Sequence, residues 1–366
     1  NMDFESSYTP YLSEEKLKYL RLLAEKYPSI PAVCREIINL KAILNLPKGT
    51  EHFMSDLHGE YEAFYHILNN AAGVIKEKVD MIFGSRLSAQ ERQEICTLVY
   101  YPVEKIKLLK EQNAITPYWY KMTLKNLTEL AKLLSSKYTR SKVRKALPPE
   151  FSYIIDELLH AQSDEDNNQY VYHEKIIDTI IDIGSADAFI EAYTKLIKRL
   201  AVDHLHIVGD VFDRGPGAAA IMDRLMSYHS VDIQWGNHDV QWMGAAAGSP
   251  ICICTVLKTT LAYHNHGMLE DCYGINLRHL QRMAEQFYGE DDLSIWMPHT
   301  DAARGPYTKG MLHRCAVMHK AISILMFKLE CQVIDRNPDF QMQGRDFLRR
   351  IDWEKHTVRI GEQDYP

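Results

Sequence analysis

Three short apolar runs, each followed at once by a loop of acids and imidazoles, constrain this chain more than any other feature. Phe53–Met54 precedes Asp56-Leu57-His58. Leu205–Val208 precedes Gly209-Asp210-Val211-Phe212-Asp213-Arg214. Val231–Trp235 precedes Gly236-Asn237-His238-Asp239. Short apolar runs bounded by turn residues read as buried strands, and a segment able to be helical follows each. In open α/β sheets, ligand groups gather outside the carboxyl ends of the strands. The expected fold is therefore α/β. It brings Asp56, His58, Asp210, Asp213, Arg214, Asn237, His238 and Asp239 to one sheet edge.

That residue mix has a chemistry. Asp, His and Asn are hard to borderline ligands that suit Mn2+, Zn2+, Fe2+ or Mg2+. One carboxylate can bridge two cations about 3.5–4 Å apart, which can hold a hydroxide and clamp a phosphate for in-line attack. Arg214 adds a planar fork for phosphate oxygens. His238 can protonate a departing alkoxide. No serine, cysteine or aspartate is placed as a nucleophile by these loops, so no phosphoenzyme is expected. Alone, an Asp-x-His or a Gly-Asp occurs in many chains. Three such loops in this order, each after an apolar run, are hard to produce by accident.

The rest of the chain reads as mostly helical. Residues 1–50 form a helical extension with a break at Tyr27-Pro28-Ser29-Ile30-Pro31. Between Asp56 and Asp210 the spacing far exceeds the roughly 30 residues of a simple strand–helix–strand crossover, so residues 75–200 read as a helical insertion. Its helices are expected over Lys121–Ser136, Phe151–His160, His173–Ile183 and Ala186–Leu200, with a polar loop at Ser163–Asn168. The core is expected from 51–74 and 201–366. Pro216 suits a first helical turn. After Gly248, helices are expected over Ile251–His264, Leu277–Tyr288 and His313–Val333, then one strand, Thr357–Ile360. Trp235 and Trp242 read as wall and core.

Composition narrows the classes. A net charge of -7 with pI near 6.2 argues against a nucleic-acid partner. The basic stretch 137–145 then reads as a solvated helix face or an effector-phosphate site. No apolar stretch approaches the roughly 20 residues that span a bilayer, and residues 1–4 do not read as a signal peptide; Asn1 reads as a cloning remnant. Seven scattered cysteines read as reduced core thiols of a cytoplasmic protein.

The three loops together resemble those of the calcineurin-like metallophosphoesterase superfamily. More closely, the stretches 51–60, 206–216, 232–239, 270–276 and 318–330 resemble class III fructose-1,6-bisphosphatase. The last two lie outside the metal loops and separate that family from its superfamily. The resemblance implies a layered α/β sandwich with a large helical insertion between the first two strands and helical additions at both ends. It also implies hydrolysis of fructose 1,6-bisphosphate to fructose 6-phosphate and phosphate, by in-line attack of a metal-bound hydroxide, with Mn2+ as activator, in a homo-oligomer. Asp56, His58 and Asp210 would hold the first metal, Asp210 bridging to a second held by Asn237. His238 would donate the proton, oriented by Asp213 or Asp239, and Arg214 would hold phosphate.

One feature of that superfamily is not found, a later Gly-His-x-His or similar segment that completes the site. His264, His266, His299, His313, His319 and His356 read as surface or core residues. The expectation is that the chain stops at Pro366 before those ligands, lacks the C-terminal part of the sheet, and holds its second metal weakly. Arg304 and Lys309 read as exposed loop charges, with a reach to the second substrate phosphate as the sharper reading. Protein serine/threonine phosphatases and dinucleoside polyphosphate hydrolases share the three loops and stand as rival activities. An inert regulatory or assembly fragment is the rival from outside enzymes.

Overall fold

The computed structural model describes residues 13–161 and 167–366. Two helices lead, α1 (Glu14–Lys26) and α2 (Ile30–Ile43). The hydroxyls of Ser13 and Ser29 accept from the amides of Lys16 and Ala32, which satisfies one orphan donor at each start. The break between them is shorter than expected, because Pro31 fits the first turn of α2. Neither helix buries a residue. The part of the helical extension expected over residues 1–12 lies outside the described residues.

Strands β1 (Glu51–Met54), β2 (His204–Val208) and β3 (Val231–Gln234) form a parallel sheet in that order. Met54 pairs with Ile207, and Val208 with Gln234. The three apolar runs are therefore adjacent strands, and their C-terminal ends lie together. Side chains alternate across a strand. His52, Met54, Leu205 and Ile207 face α3 (Tyr61–Asn70) and its neighbours, while Glu51, Phe53, His204, His206 and Val208 lie on the opposite, more open face. On the covered face Phe64 and Leu68 meet Ile207, Ile221 and Leu225. Each such side chain contributes about 1.5–3 kcal/mol by leaving water.

Helices fill the segment between β1 and β2. After α3 come α4 (Val74–Phe83), α5 (Ala89–Tyr100), α6 (Pro102–Glu111), α7 (Pro117–Ser135) and α8 (Arg140–Ala146). Then follow α9 (Ser152–His160), α10 (Asn167–Asp182) and α11 (Ala186–Ala201). They share one core in which Phe83, Leu127, Phe189 and Tyr193 are buried. The Thr128 hydroxyl donates to Tyr193 Oη at 2.9 Å, so that phenol is not buried without a partner. The expected loop at 163–168 gives way at its end, since α10 already runs from Asn167; residues 163–166 lie outside the described residues. The basic stretch is neither solvated face nor open site throughout. Lys137 donates to Thr50 at 2.9 Å and Lys142 pairs with Asp203 at 2.5 Å, tying α7 and α8 to the ends of β1 and β2.

Beyond β2, α12 (Ala218–Met226) starts after Pro216, which stays in the turn; Gly217 occupies the cap position. The chain then passes β3 to α13 (Asn237–Ala246), α14 (Pro250–Ala262), α15 (Gly267–Tyr273), α16 (Arg278–Tyr288) and α17 (Lys309–Arg336). Helix α17 starts four residues before His313 and runs three past Val333. Helix α15 had no sequence signal, being too short to show a period. A second core joins α14, α16 and α17 around Leu261, Ala284, Cys315 and Met318. The end of the chain makes a small antiparallel sheet, β4 (Ile351–Asp352), β5 (Thr357–Ile360) and β6 (Gln363–Tyr365), separate from the parallel one. Only β5 was expected; strands of two and three residues carry no readable alternation. Among the described residues no helix is long and apolar enough to cross a membrane.

Candidate metal centre

The three loops after β1, β2 and β3 are stitched together by their backbones. The His58 amide donates to the Asp210 carbonyl at 2.8 Å, and the Gly59 amide to the Val211 carbonyl at 3.0 Å. In return the Gly215 and Gly217 amides donate to the carbonyls of His58 and Gly59, each at 2.8 Å. Gly59 has φ +64°, and a Cβ there would sit 2.3 Å from the Gly215 carbonyl oxygen. Only glycine lets these loops approach so closely. Three residues in these turns are left-handed without being glycine: Asp56 (φ 53°), His58 (φ 48°) and Asp210 (φ 53°). Such backbone costs on the order of 1–3 kcal/mol per residue and gathers at functional sites.

Those same three residues converge. One donor atom from each of Asp56, His58 and Asp210 falls within 4.8 Å of the others. His58 Nε2 lies 3.4 Å from Asp56 Oδ1, and His58 Nδ1 lies 2.6 Å from Asp213 Oδ2. Asp213 has only 1% of its side chain exposed. Its carboxylate also meets Arg214 Nε at 3.1 Å and faces His238 Nδ1 at 3.5 Å. Both imidazoles therefore turn Nδ1 toward one buried carboxylate and keep Nε2 for other work. A hydrogen bond from Ser55, and then His58, hold the Asp56 carboxyl below the usual carboxylate range. Two carboxylates and one imidazole around a strained turn fit a divalent cation such as Mn2+, Mg2+, Fe2+ or Zn2+.

The third loop supplies the rest. A Cβ on Gly236 would lie 2.1 Å from Asp210 Oδ1, so glycine is needed for β3 to end there. The His238 amide donates to Asp210 Oδ1 at 3.3 Å. Asn237 opens α13 and is exposed beside His238. Arg214 has 60% of its side chain exposed, with its guanidinium 5.9 Å from the centre of the Tyr263 ring. The Asn265 carboxamide donates to the Arg214 carbonyl.

Of the two aspartates named as alternatives for orienting His238, Asp239 is engaged elsewhere. Its Oδ1 accepts from the Val211 and Phe212 amides at 3.0 and 2.9 Å, and Oδ2 from the Gly236 amide at 2.9 Å. With both oxygens engaged by backbone it joins the second loop to the third. The carboxylate facing His238 is that of Asp213.

Arg304, read as an exposed loop charge, pairs with Glu60 at 2.6 Å beside the first loop. Lys309 is the first residue of α17. Trp235 is 63% exposed rather than part of a core, whereas Trp242 packs on Phe212 with ring centres 4.6 Å apart. Of the later histidines, His319 hydrogen-bonds the Trp296 carbonyl, His313 pairs with Glu285, and His299 lies beside Tyr263. His264 and His266 have ring centres 5.2 Å apart, and His356 sits in a turn before β5. None joins a candidate metal group among the described residues. Sequence reasoning gave no role to Ser55, Glu60 or Asn265; Ser55 acts on its neighbour Asp56, while Glu60 and Asn265 act through contacts with Arg304 and Arg214 that only the fold makes.

Fold and site describe an α/β chain with a carboxylate–imidazole cluster, suited to a divalent cation, at the ends of three parallel strands. A family model described as Firmicute fructose-1,6-bisphosphatase matches residues 18–366, and the chain belongs to that family. The class 3 fructose-1,6-bisphosphatase of Bacteroides fragilis is 51% identical over 365 residues, covering 100% of this chain and 55% of that protein. Those of Clostridium tetani and Clostridium acetobutylicum are each 52% identical. They cover 97% and 96% of this chain, and 53% of their own lengths. The chain thus spans about half the length of these curated relatives. No solved structure matches it.

Proposed function

We propose that this chain carries out the hydrolysis of the C1 phosphate of fructose 1,6-bisphosphate, giving fructose 6-phosphate and phosphate, within a metallophosphoesterase-type layered architecture. The observation that carries this is the convergence of Asp56, His58 and Asp210 donors within 4.8 Å in a member of the fructose-1,6-bisphosphatase family. Asp56, His58 and Asp210 would hold one Mn2+, and Asn237 would reach a second ion bridged by Asp210. Bound there, such ions polarise phosphoryl oxygens and acidify water.

The chain's own residues supply the rest. Asp213, buried, holds the His58 ring so that Nε2 faces the ion site. It also faces Nδ1 of His238, which leaves Nε2 of that ring to give a proton to the departing sugar oxygen. Arg214 spends Nε on Asp213 and keeps its exposed terminal nitrogens for phosphate oxygens. All seven cysteines are free, which supports a reducing compartment, the cytoplasm. We read the active form as a homo-oligomer without nucleic-acid or membrane partners.

Phosphate release with added Mn2+ tests the reading. Fructose 1,6-bisphosphate is expected to outrun a phosphopeptide and diadenosine tetraphosphate, and Asp210→Asn to abolish release. Release that survives Asp210→Asn, or a preference for either rival substrate, would overturn it. Metal binding with no release from any substrate would favour a regulatory or assembly role.

A further inference from the structure

The open face of the parallel sheet carries a second group of metal-ligand chemistry, away from the loops. Side chains two apart on a strand share a face, so His204 and His206 of β2 stand together, ring centres 4.4 Å apart. The parallel register sets Asp232 of β3 opposite His206, and Glu51 of β1 opposite His204. His204 Nε2 lies 3.2 Å from Asp232 Oδ2, and His206 Nδ1 lies 2.8 Å from Asp232 Oδ1. One donor atom from each of the three falls within 4.8 Å of the others.

The far side of each ring is also provided for. His204 Nδ1 meets Ser230 Oγ at 2.7 Å. His206 Nε2 faces Glu51 Oε2 at 3.8 Å, buried and without a hydrogen-bond partner. Phe53 stacks on the His206 ring, centres 4.3 Å apart and nearly parallel. Ligating histidines commonly bond their second nitrogen to an oxygen, which fixes tautomer and ring orientation; Ser230 is placed to do this for His204, and Glu51 is the carboxylate nearest the unpartnered nitrogen of His206.

We propose that His204 Nε2, His206 Nδ1 and the Asp232 carboxylate form a transition-metal site, with Ser230 and Glu51 as the oxygens behind the two rings. Zinc bonds of about 2.0–2.2 Å place tetrahedral donors roughly 3.3–3.5 Å apart. The His204 contact of 3.2 Å is already close to that spacing, whereas the His206 contact of 2.8 Å must open by roughly 0.5–0.7 Å. Two imidazoles and one carboxylate suit Zn2+ or Co2+, whereas the oxygen-richer Asp56, His58 and Asp210 suit Mn2+ or Mg2+. The two groups share no residue: His204 and His206 lie within β2, whereas Asp210 lies in the loop beyond its C-terminal end. The competing account is a hydrogen-bonded network alone, in which both rings bond the Asp232 carboxylate with no metal between them.

Metal titration distinguishes the two. In the 366-residue chain stripped by chelator and carrying Asp56→Asn and Asp210→Asn, one Co2+ per chain should bind with the visible absorption of a tetrahedral nitrogen–oxygen site. Zn2+ should displace it. Adding His204→Gln and His206→Gln should abolish that spectrum. Asp232→Asn, which keeps side-chain shape, should weaken Co2+ binding at least tenfold with circular dichroism unchanged. In the otherwise unmutated chain, His206→Gln should lower Zn2+ stoichiometry by one and leave Mn2+ binding in place. Absence of Co2+ binding to the folded Asp56→Asn, Asp210→Asn chain would overturn the proposal, as would binding that survives loss of both histidines.

Discussion

His58 Nδ1 and Asp213 Oδ2 lie 2.6 Å apart although 155 positions separate the two residues in sequence. The same buried carboxylate touches Arg214 and faces His238. One side chain therefore sets the orientation of a ligand candidate, a proton-donor candidate and a phosphate-binding candidate. Removing its charge should be felt at all three.

Asp213→Asn is nearly isosteric, yet it offers one acceptor oxygen in place of two. His58 then loses its fixed ring orientation or its partner's charge. Mn2+ affinity should fall roughly 10–100-fold, as for other groups behind a metal ligand. Titration followed by the electron paramagnetic resonance of free Mn2+ reads this directly. Unchanged affinity would show that His58 is oriented by something else.

His238→Ala removes the proposed proton donor and no ligand of the first ion. Turnover of fructose 1,6-bisphosphate should fall by roughly 10²–10⁴, with Mn2+ content retained. Partial recovery with a substrate whose leaving group is a good one, such as p-nitrophenyl phosphate, would follow, because that group departs without a proton. An unaltered rate removes His238 from the role.

Asp239→Ala strips the acceptor from three backbone amides at once. Hydrogen bonds to a charged group contribute about 1.5–3 kcal/mol each, and buried donors left unmade are costly. Unfolding in urea should show a loss on the order of 3 kcal/mol or more. Asp239→Asn, still able to accept through one oxygen, should fall between. A stability within 0.5 kcal/mol, or about that, of the parent would contradict the stitching role.

Lys198 gives a dependence on pH. Burial, then the nearby Arg224, lower its ammonium from 10.5 to about 8, although Asn69 Oδ1 accepts from it at 3.1 Å. Below pH 8 both folded and unfolded chains carry the proton, and the fold bears the full cost of a buried charge. Between pH 8 and 10.5 the unfolded chain holds more protons, so stability rises with pH. Lys198→Met should raise Tm at pH 7, and the gain should shrink by pH 10. A gain independent of pH would rule out this origin.

Much of the scaffold was legible because its signals are local. Each apolar run of β1, β2 and β3 announces a strand by its own composition and by the turn residues that close it. Helix α11 shows a period over many residues, and its ends fall within one position of expectation, whereas α10 starts six residues before the expected His173. Helix α15 and strands β4 and β6 did not show, because two to seven residues are too few for a period. The exposed faces of α1 and α2 could not be read either, since amphipathic spacing says which side is apolar but not what covers it.

By itself the sequence determined which residues could do the chemistry: acids, imidazoles and an arginine at the ends of three strands, with glycines at Gly59 and Gly236 where a Cβ would collide. Tertiary structure alone decided how they are shared out. Asp213 and Asp239 are both aspartates within one motif set, and only the fold shows one turned to His58 and the other to three amides. It alone also set His204 and His206 across from Asp232. Strand register and loop packing join residues far apart in the chain, and no local pattern records which partner a carboxylate will meet.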